Sequence, residues 1–225
     1  MDDRQRVIEI IPLLEQKYGV PEWNRRGDPL ASLVKTVLSQ STNDLNRDRA
    51  YDTLIDNFPT WYDVMNAHPE KIAETIRVAG LANQKSVRIK EILQWIEKTY
   101  GSLNIDFICD MDPDEVTKTF MQLKGIGIKT ISVVLMFTCG VDVFPVDTHV
   151  HRICRRIGFL PDNASAEKTH WHMQAIVPDG KSYSFHMNLL KLGRTICKAR
   201  NPKCPECPIQ KYCQFGQRVM NEKNI

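Results

Sequence analysis

The apolar positions of this chain recur with a helical period almost from end to end. Leu30, Leu33, Val34, Val37 and Leu38 fall at i, i+3, i+4, i+7 and i+8, which gathers them on one face of a helix. Asp28 followed by Pro29 supplies an N-cap and a first-turn proline for it. The same pattern predicts helices over Pro69–Val78, over Val87–Ile96 and, after Asp112, over Pro113–Met121. Phe185, Leu189, Leu192 and Ile196 repeat it near the C-terminus. Residues 129–138, KTISVVLMFT, are apolar on nearly every side, so this helix is expected at the centre of the protein. No run alternates with the period of a strand. The segment VDVFPV at 141–146 is interrupted by Pro145 and reads as a connector. The expected class is all-α. Breaks at Lys17–Asp28 and Cys139–Val146 predict two compact lobes rather than domains on a flexible linker.

Composition narrows the class without naming a function. At 225 residues the chain can bury a substantial core. Its 42% hydrophobic and 25% charged residues exclude disordered and fibrous classes. The longest apolar run, Ile131–Phe137, is far short of a membrane span. The first residues, MDDRQRVIEIIPLL, carry acids where a secretory signal needs bases. A soluble, cytoplasmic protein with no membrane partner is therefore expected. The formal net charge of +3 is too small to identify a partner by itself.

Four of the seven cysteines change this picture. Cys197, Cys204, Cys207 and Cys213 are spaced C-x6-C-x2-C-x5-C, with Pro202, Pro205 and Pro208 between them. Such a loop has no apolar core of its own, and metal ligation would give it one. A zinc ribbon pairs two C-x2-C knuckles, whereas here there is one knuckle with outlying single cysteines. An iron–sulfur cluster matches the spacing better than zinc, and two structural disulfides are the third alternative. Cys109, Cys139 and Cys154 lie in or beside apolar helices and are expected to be small core residues. Basic residues gather in three places: Lys85, Arg88 and Lys90; Arg152, Arg155 and Arg156; and Lys191, Arg194, Lys198, Arg200 and Lys203. Charge sorted in this way onto one face suits phosphate binding.

Between two predicted helices lies Leu123-Lys124-Gly125-Ile126-Gly127-Ile128-Lys129-Thr130. Two glycines one residue apart allow a tight hairpin, and the unpaired N–H groups of the following helix can hold a phosphate. Lys129 opens an almost wholly apolar helix, where the helix dipole disfavours a cation and a nucleophilic amine is a natural use. Asp147, in PVDTHVHRICRRIGF, precedes an amphipathic helix as its N-cap. A carboxylate held by backbone N–H groups can also stabilise an oxocarbenium-like sugar. His149 and His151 beside it read as structural or phosphate-facing.

LKGIGIKT, VDTH and the four-cysteine tail together resemble the endonuclease III branch of the helix–hairpin–helix DNA glycosylases, over nearly the whole chain. The resemblance implies a six-helix lobe over residues 21–139, with the helix–hairpin–helix at about 115–138. It also implies a second lobe of residues 1–20 plus 140–225 that holds a [4Fe-4S] cluster on the 197–213 loop. It implies catalysis by Lys129 and Asp147, cluster ligation by the four cysteines, and a monomer in the prokaryotic cytoplasm. The expected partner is double-stranded DNA containing damaged pyrimidines or abasic sites. DNA contacts are expected from Gln40, Ser41, Leu81, Asn83, Lys85, Gly125, Gly127, Ile128, Thr130, His149, Arg152, Lys191, Arg194, Lys198 and Arg200. The implied activity is removal of oxidised pyrimidines such as thymine glycol, with abasic-site lyase chemistry. A uracil or mismatched-thymine glycosylase, or a non-catalytic DNA-binding module, are the alternatives. The family's bacterial archetype reads LSAQATD where this chain has Leu38-Ser39-Gln40-Ser41-Thr42-Asn43-Asp44. Its gap-filling glutamine therefore aligns with Ser41, and either Gln40 or Ser41 takes that part.

Overall fold

The computed structural model describes residues 1–24 and 27–223. Every regular element among them is helical. They fall into two units, residues 25–141 and residues 1–24 with 142–225. Arg25 and Arg26, within the expected Lys17–Asp28 break, lie outside the described residues.

Among the described residues, the 25–141 unit contains α2 (Pro29–Leu38), α3 (Asp44–Asn57), α4 (Trp61–Asn66), α5 (Pro69–Thr75), α6 (Ala82–Tyr100), α7 (Pro113–Phe120) and α8 (Ile128–Val134), following α1 (Asp3–Tyr18) of the other unit. Local chemistry sets their starts. The Asp28 carboxylate accepts from the N–H groups of Leu30 and Ala31, and Asp112 does the same for Asp114 and Glu115. Thr60 and Asp63 form a reciprocal capping box on α4. α8 widens into a π-turn over Leu135–Cys139 and stops at Gly140, whose φ is +72°. The expectation that this helix is central holds: Ile131, Val134 and Leu135 have no exposed surface, and neither do Leu33, Val34 and Val37 of α2.

The other unit packs α1 with α9 (Thr148–Ile157), α10 (Ala166–Ile176), α11 (Ser182–Thr195) and α12 (Gln214–Lys223). Its core joins Val7, Ile10 and Leu14 of α1, Val150, Ile153 and Ile157 of α9, and Phe185, Leu189 and Leu192 of α11. Phe144, in the 141–146 connector, is fully buried among them.

Periodicity misjudged some boundaries. α5 ends at Thr75, and Arg77–Ala79 forms a separate 3-10 turn. α6 begins at Ala82, ahead of the first apolar repeat, because its polar first turn carries no periodic signal. α3 escaped notice because it buries only Ala50 and Leu54. One expectation is overturned outright. Cys109 and Cys139 are not small core residues but a disulfide, with Cα atoms 4.9 Å apart. Their separation of 30 residues gave no local pattern to read. Cys154 alone of the three is a buried thiol.

The disulfide closes a long loop across the unit's last helix and should stabilise it chiefly by restricting the unfolded chain. The double substitution Cys109→Ala, Cys139→Ala should lower unfolding free energy by about 2–4 kcal/mol, read from urea midpoints. An unchanged midpoint would show that the bond does not form in solution.

Candidate functional site

The hairpin is built by a chain of short-range bonds. Leu123 N–H donates to Phe120 O at 3.1 Å, and Ile126 N–H to Leu123 O at 3.0 Å. Gly125 adopts φ +79°, and a Cβ on it would lie 2.2 Å from the Arg88 guanidinium carbon. Buried Ile126 and Ile128 pin the turn to the core on either side of Gly127. Lys129 is exposed, between the buried side chains of Ile128 and Thr130. α8 therefore hides its neighbours and offers the amine to solvent. Thr130 leaves the contact set: its side chain is buried and its N–H donates to Gly127 O at 2.9 Å. Ile128 is only 8% exposed as a whole residue, which leaves its backbone N–H as the group suited to a contact.

Two further loops of this unit carry candidates. After α2 the chain turns through Gln40 and Ser41, and Ser41 sits exposed with φ +57°. Gln40 is engaged: its Nε2 donates to Gly125 O at 3.2 Å and its Oε1 accepts from Arg88 Nη1 at 3.0 Å. Before α6, Leu81 has φ +50° and is 53% exposed, an unusual display for a leucine. Asn83 is exposed beside it. Lys85, expected at DNA, is instead 2% exposed, and its Nζ donates to Leu38 O at 2.7 Å and Ala79 O at 2.8 Å. Lys90 likewise donates to Ala67 O at 2.7 Å. This basic cluster is engaged inside the unit rather than on a phosphate-binding face.

Asp147 belongs to the other unit. As expected it caps α9, with Oδ1 accepting from Val150 N–H at 2.7 Å, and it remains half-buried. His149 packs on Gly193, where a Cβ would come within 2.8 Å of its ring. Arg152 turns inward: Nη2 donates to Gly193 O and to Cys197 O, with His149 Nδ1 3.1 Å away. His151 bonds Thr169 at 2.8 Å, and burial, then nearby Arg155, lowers its pKa, as befits a structural histidine. Lys191, Arg194, Lys198 and Arg200 are exposed, with Lys191 Nζ also donating to Tyr18 O.

The 197–213 loop is shaped around its cysteines. Arg156 donates from Nη1 to Cys197 Sγ at 3.3 Å and to Lys198 O, and from Nη2 to Ala199 O. Its guanidinium lies 4.6 Å from the centre of the Phe215 ring. Gly216 N–H points at Cys213 Sγ at 3.4 Å. Burial, with repulsion from the other three thiols, pushes Cys207 up to about 11, and burial pushes Cys213 up as well. Thiols crowded in this way are poorly placed as thiolates unless a cation joins them, and N–H donors already face two sulfurs. A multi-iron core bridging outlying thiolates fits this donor set.

Residues 34–179 match the model of the HhH-GPD superfamily of base excision DNA repair proteins. The chain belongs to that superfamily. Residues 197–213, the segment that carries the four cysteines, match the iron–sulfur binding domain of endonuclease III, so an iron–sulfur cluster rather than zinc is the cofactor of this loop. The chain is 32% identical to endonuclease III of Thermotoga maritima over 198 residues, 88% of each chain. A putative DNA glycosylase of Arabidopsis thaliana is 36% identical over 190 residues, but there the chain spans only 64% of the relative's length. In structure, it superposes on an endonuclease III–DNA covalent intermediate with a TM-score of 0.81, at 26% identity, covering 98% of this chain and all of that one. The resemblance carried by the hairpin and cysteine motifs is thus borne out, as is the all-α class. Relatives from a plant and a bacterium do not by themselves select the prokaryotic source that was expected. No helix among the described residues is long and apolar enough to cross a membrane.

Two substitutions probe these contacts. Gly125→Ala should destabilise the protein by about 1–2 kcal/mol, the cost of a side chain in left-handed backbone, and should displace Arg88; urea unfolding reads the first effect. Arg156→Ala removes the N–H···S bond and the Phe215 contact, so the visible absorption of the cluster should bleach faster under a chelator than in the parent. Equal bleaching rates would show that Arg156 shapes the loop without protecting the cluster.

Proposed function

We propose that this chain is a base excision repair DNA glycosylase with abasic-site lyase activity, acting on oxidised pyrimidines such as thymine glycol in duplex DNA. The observation that carries the reading is Lys129: a solvent-exposed amine in the first turn of an otherwise buried helix, directly after a Gly-x-Gly hairpin. The Lys129 nitrogen attacks C1′ of a flipped nucleotide, a C–N bond forms, and the damaged base leaves with its bonding electrons. Opening of the sugar ring gives a Schiff base. Loss of a C2′ proton then expels the 3′ phosphate, which nicks the strand. Asp147, whose carboxylate is positioned by the Val150 N–H, stabilises the positive charge that develops on the sugar and assists proton transfer.

Around that chemistry, the backbone at Gly125, Gly127 and Ile128 would receive a phosphate, and Lys191, Arg194, Lys198 and Arg200 would meet the DNA backbone. Leu81 would enter the stack as a wedge. Gln40 is held by the hairpin and Arg88, which favours exposed Ser41 as the residue facing the vacated gap. When bound, the [4Fe-4S] cluster supplies the core that folds the loop bearing Lys198 and Arg200. The protein would act as a monomer.

Borohydride added to the protein and abasic-site DNA should give a covalent complex that is absent with Lys129→Ala. Asp147→Asn should slow release of thymine glycol by roughly 10²–10³-fold. Release of base without trapping would favour a uracil or mismatched-thymine glycosylase. Binding with neither would leave a DNA-binding module.

A further inference from the structure

Among the described residues, Lys85 is the most deeply buried cation of the 25–141 unit, and nothing in the proposed chemistry uses it. A buried ammonium costs several kcal/mol unless its N–H groups are matched. Both of its bonds go to carbonyls at the last residue of a helical segment: Leu38 ends α2, and Ala79 ends the 3-10 turn. Those are the positions where helix ends leave acceptors unpaired and where the dipole favours a cation. Just beyond each carbonyl lies a non-glycine residue with positive φ, Ser41 at +57° after Leu38 and Leu81 at +50° after Ala79. Such conformations persist only where the surroundings over-determine them. One turn further along α6, Arg88 holds Gln40, which in turn holds Gly125.

We infer that Lys85 is a positioning residue that sets the gap-facing loop at Gln40–Ser41 and the wedge loop at Leu81 in register with each other. This deepens the proposed function and rests on it for the identity of the two loops. One ammonium fixes the entry of both loops to the same point, so their separation is set before DNA arrives. Arg88, on the same face of α6, references the hairpin to that frame. Opening a base pair requires wedge and gap-facing residues to act on opposite faces of one vacancy. A frame that holds their spacing removes the ordering cost at the moment of flipping.

The test uses Lys85→Met, which keeps the length of the stem and removes the donors. Amide hydrogen exchange without DNA should quicken at residues 39–43 and 80–83, while α8 and the 1–24 with 142–225 unit keep parent rates. Single-turnover excision of thymine glycol should fall roughly 10–100-fold when the lesion is paired in duplex, and less than about threefold when it lies opposite an abasic gap that needs no unpairing. Exchange unchanged in either loop, or equal losses on the two substrates, would overturn the assignment. If Lys85→Met does not fold, Lys85→Arg carries the same measurements, because it keeps the charge but changes the reach to both carbonyls. The exchange arm needs no DNA. Parent protein that excises nothing would therefore defeat the proposed function, and exchange would still decide the role of Lys85.

Discussion

A protein made of short helices has many helix ends, and each leaves backbone carbonyls that need donors. Here basic side chains supply them. Lys85 serves Leu38 and Ala79, and Lys90 serves Ala67. Arg152 serves Gly193 and Cys197, Arg156 serves Lys198 and Ala199, and Arg6 reaches Ile157 and Gly158. Lys85, Lys90, Arg152 and Arg6 tie down helix ends where the next loop begins, and Arg156 ties down two carbonyls within the loop that follows α11. The loops proposed to meet DNA thus leave points whose positions side-chain cations define.

This accounting reshapes the electrostatics. Part of the positive charge is committed to the fold, while Lys191, Arg194, Lys198 and Arg200 near the cysteine loop stay exposed to solvent, Lys191 donating to Tyr18 O as well. A cluster with four thiolates contributes negative charge at the same loop. Arg156, with its bond to Cys197 Sγ, lies at the junction of those two roles. The net charge of the whole chain says little about where DNA is held.

Much of the molecule was legible in its sequence, for identifiable reasons. The Asp28-Pro29 and Asp112-Pro113 pairs marked helix starts because capping is a local interaction, and both caps form. The cysteine spacing and the Gly-x-Gly turn were readable because their chemistry requires fixed short separations. Lys85 was misread as a phosphate ligand because burial depends on which carbonyls the fold brings near, and Leu38 is 47 residues away. The Cys109–Cys139 bond was invisible for the same reason. The sequence left Gln40 and Ser41 as equals because the contact that engages Gln40, with Gly125 O, spans 85 residues.

The left-handed residues have an evolutionary consequence. Glycine at 41 or 81 would relieve backbone strain, and a polar residue at 81 would remove an exposed leucine from the surface. Selection for stability or solubility alone would thus erode both positions. Carrying serine and leucine there is a cost to the free protein that the proposed contacts with nucleic acid would offset. Laboratory variants selected only for heat resistance would be drawn toward losing them first.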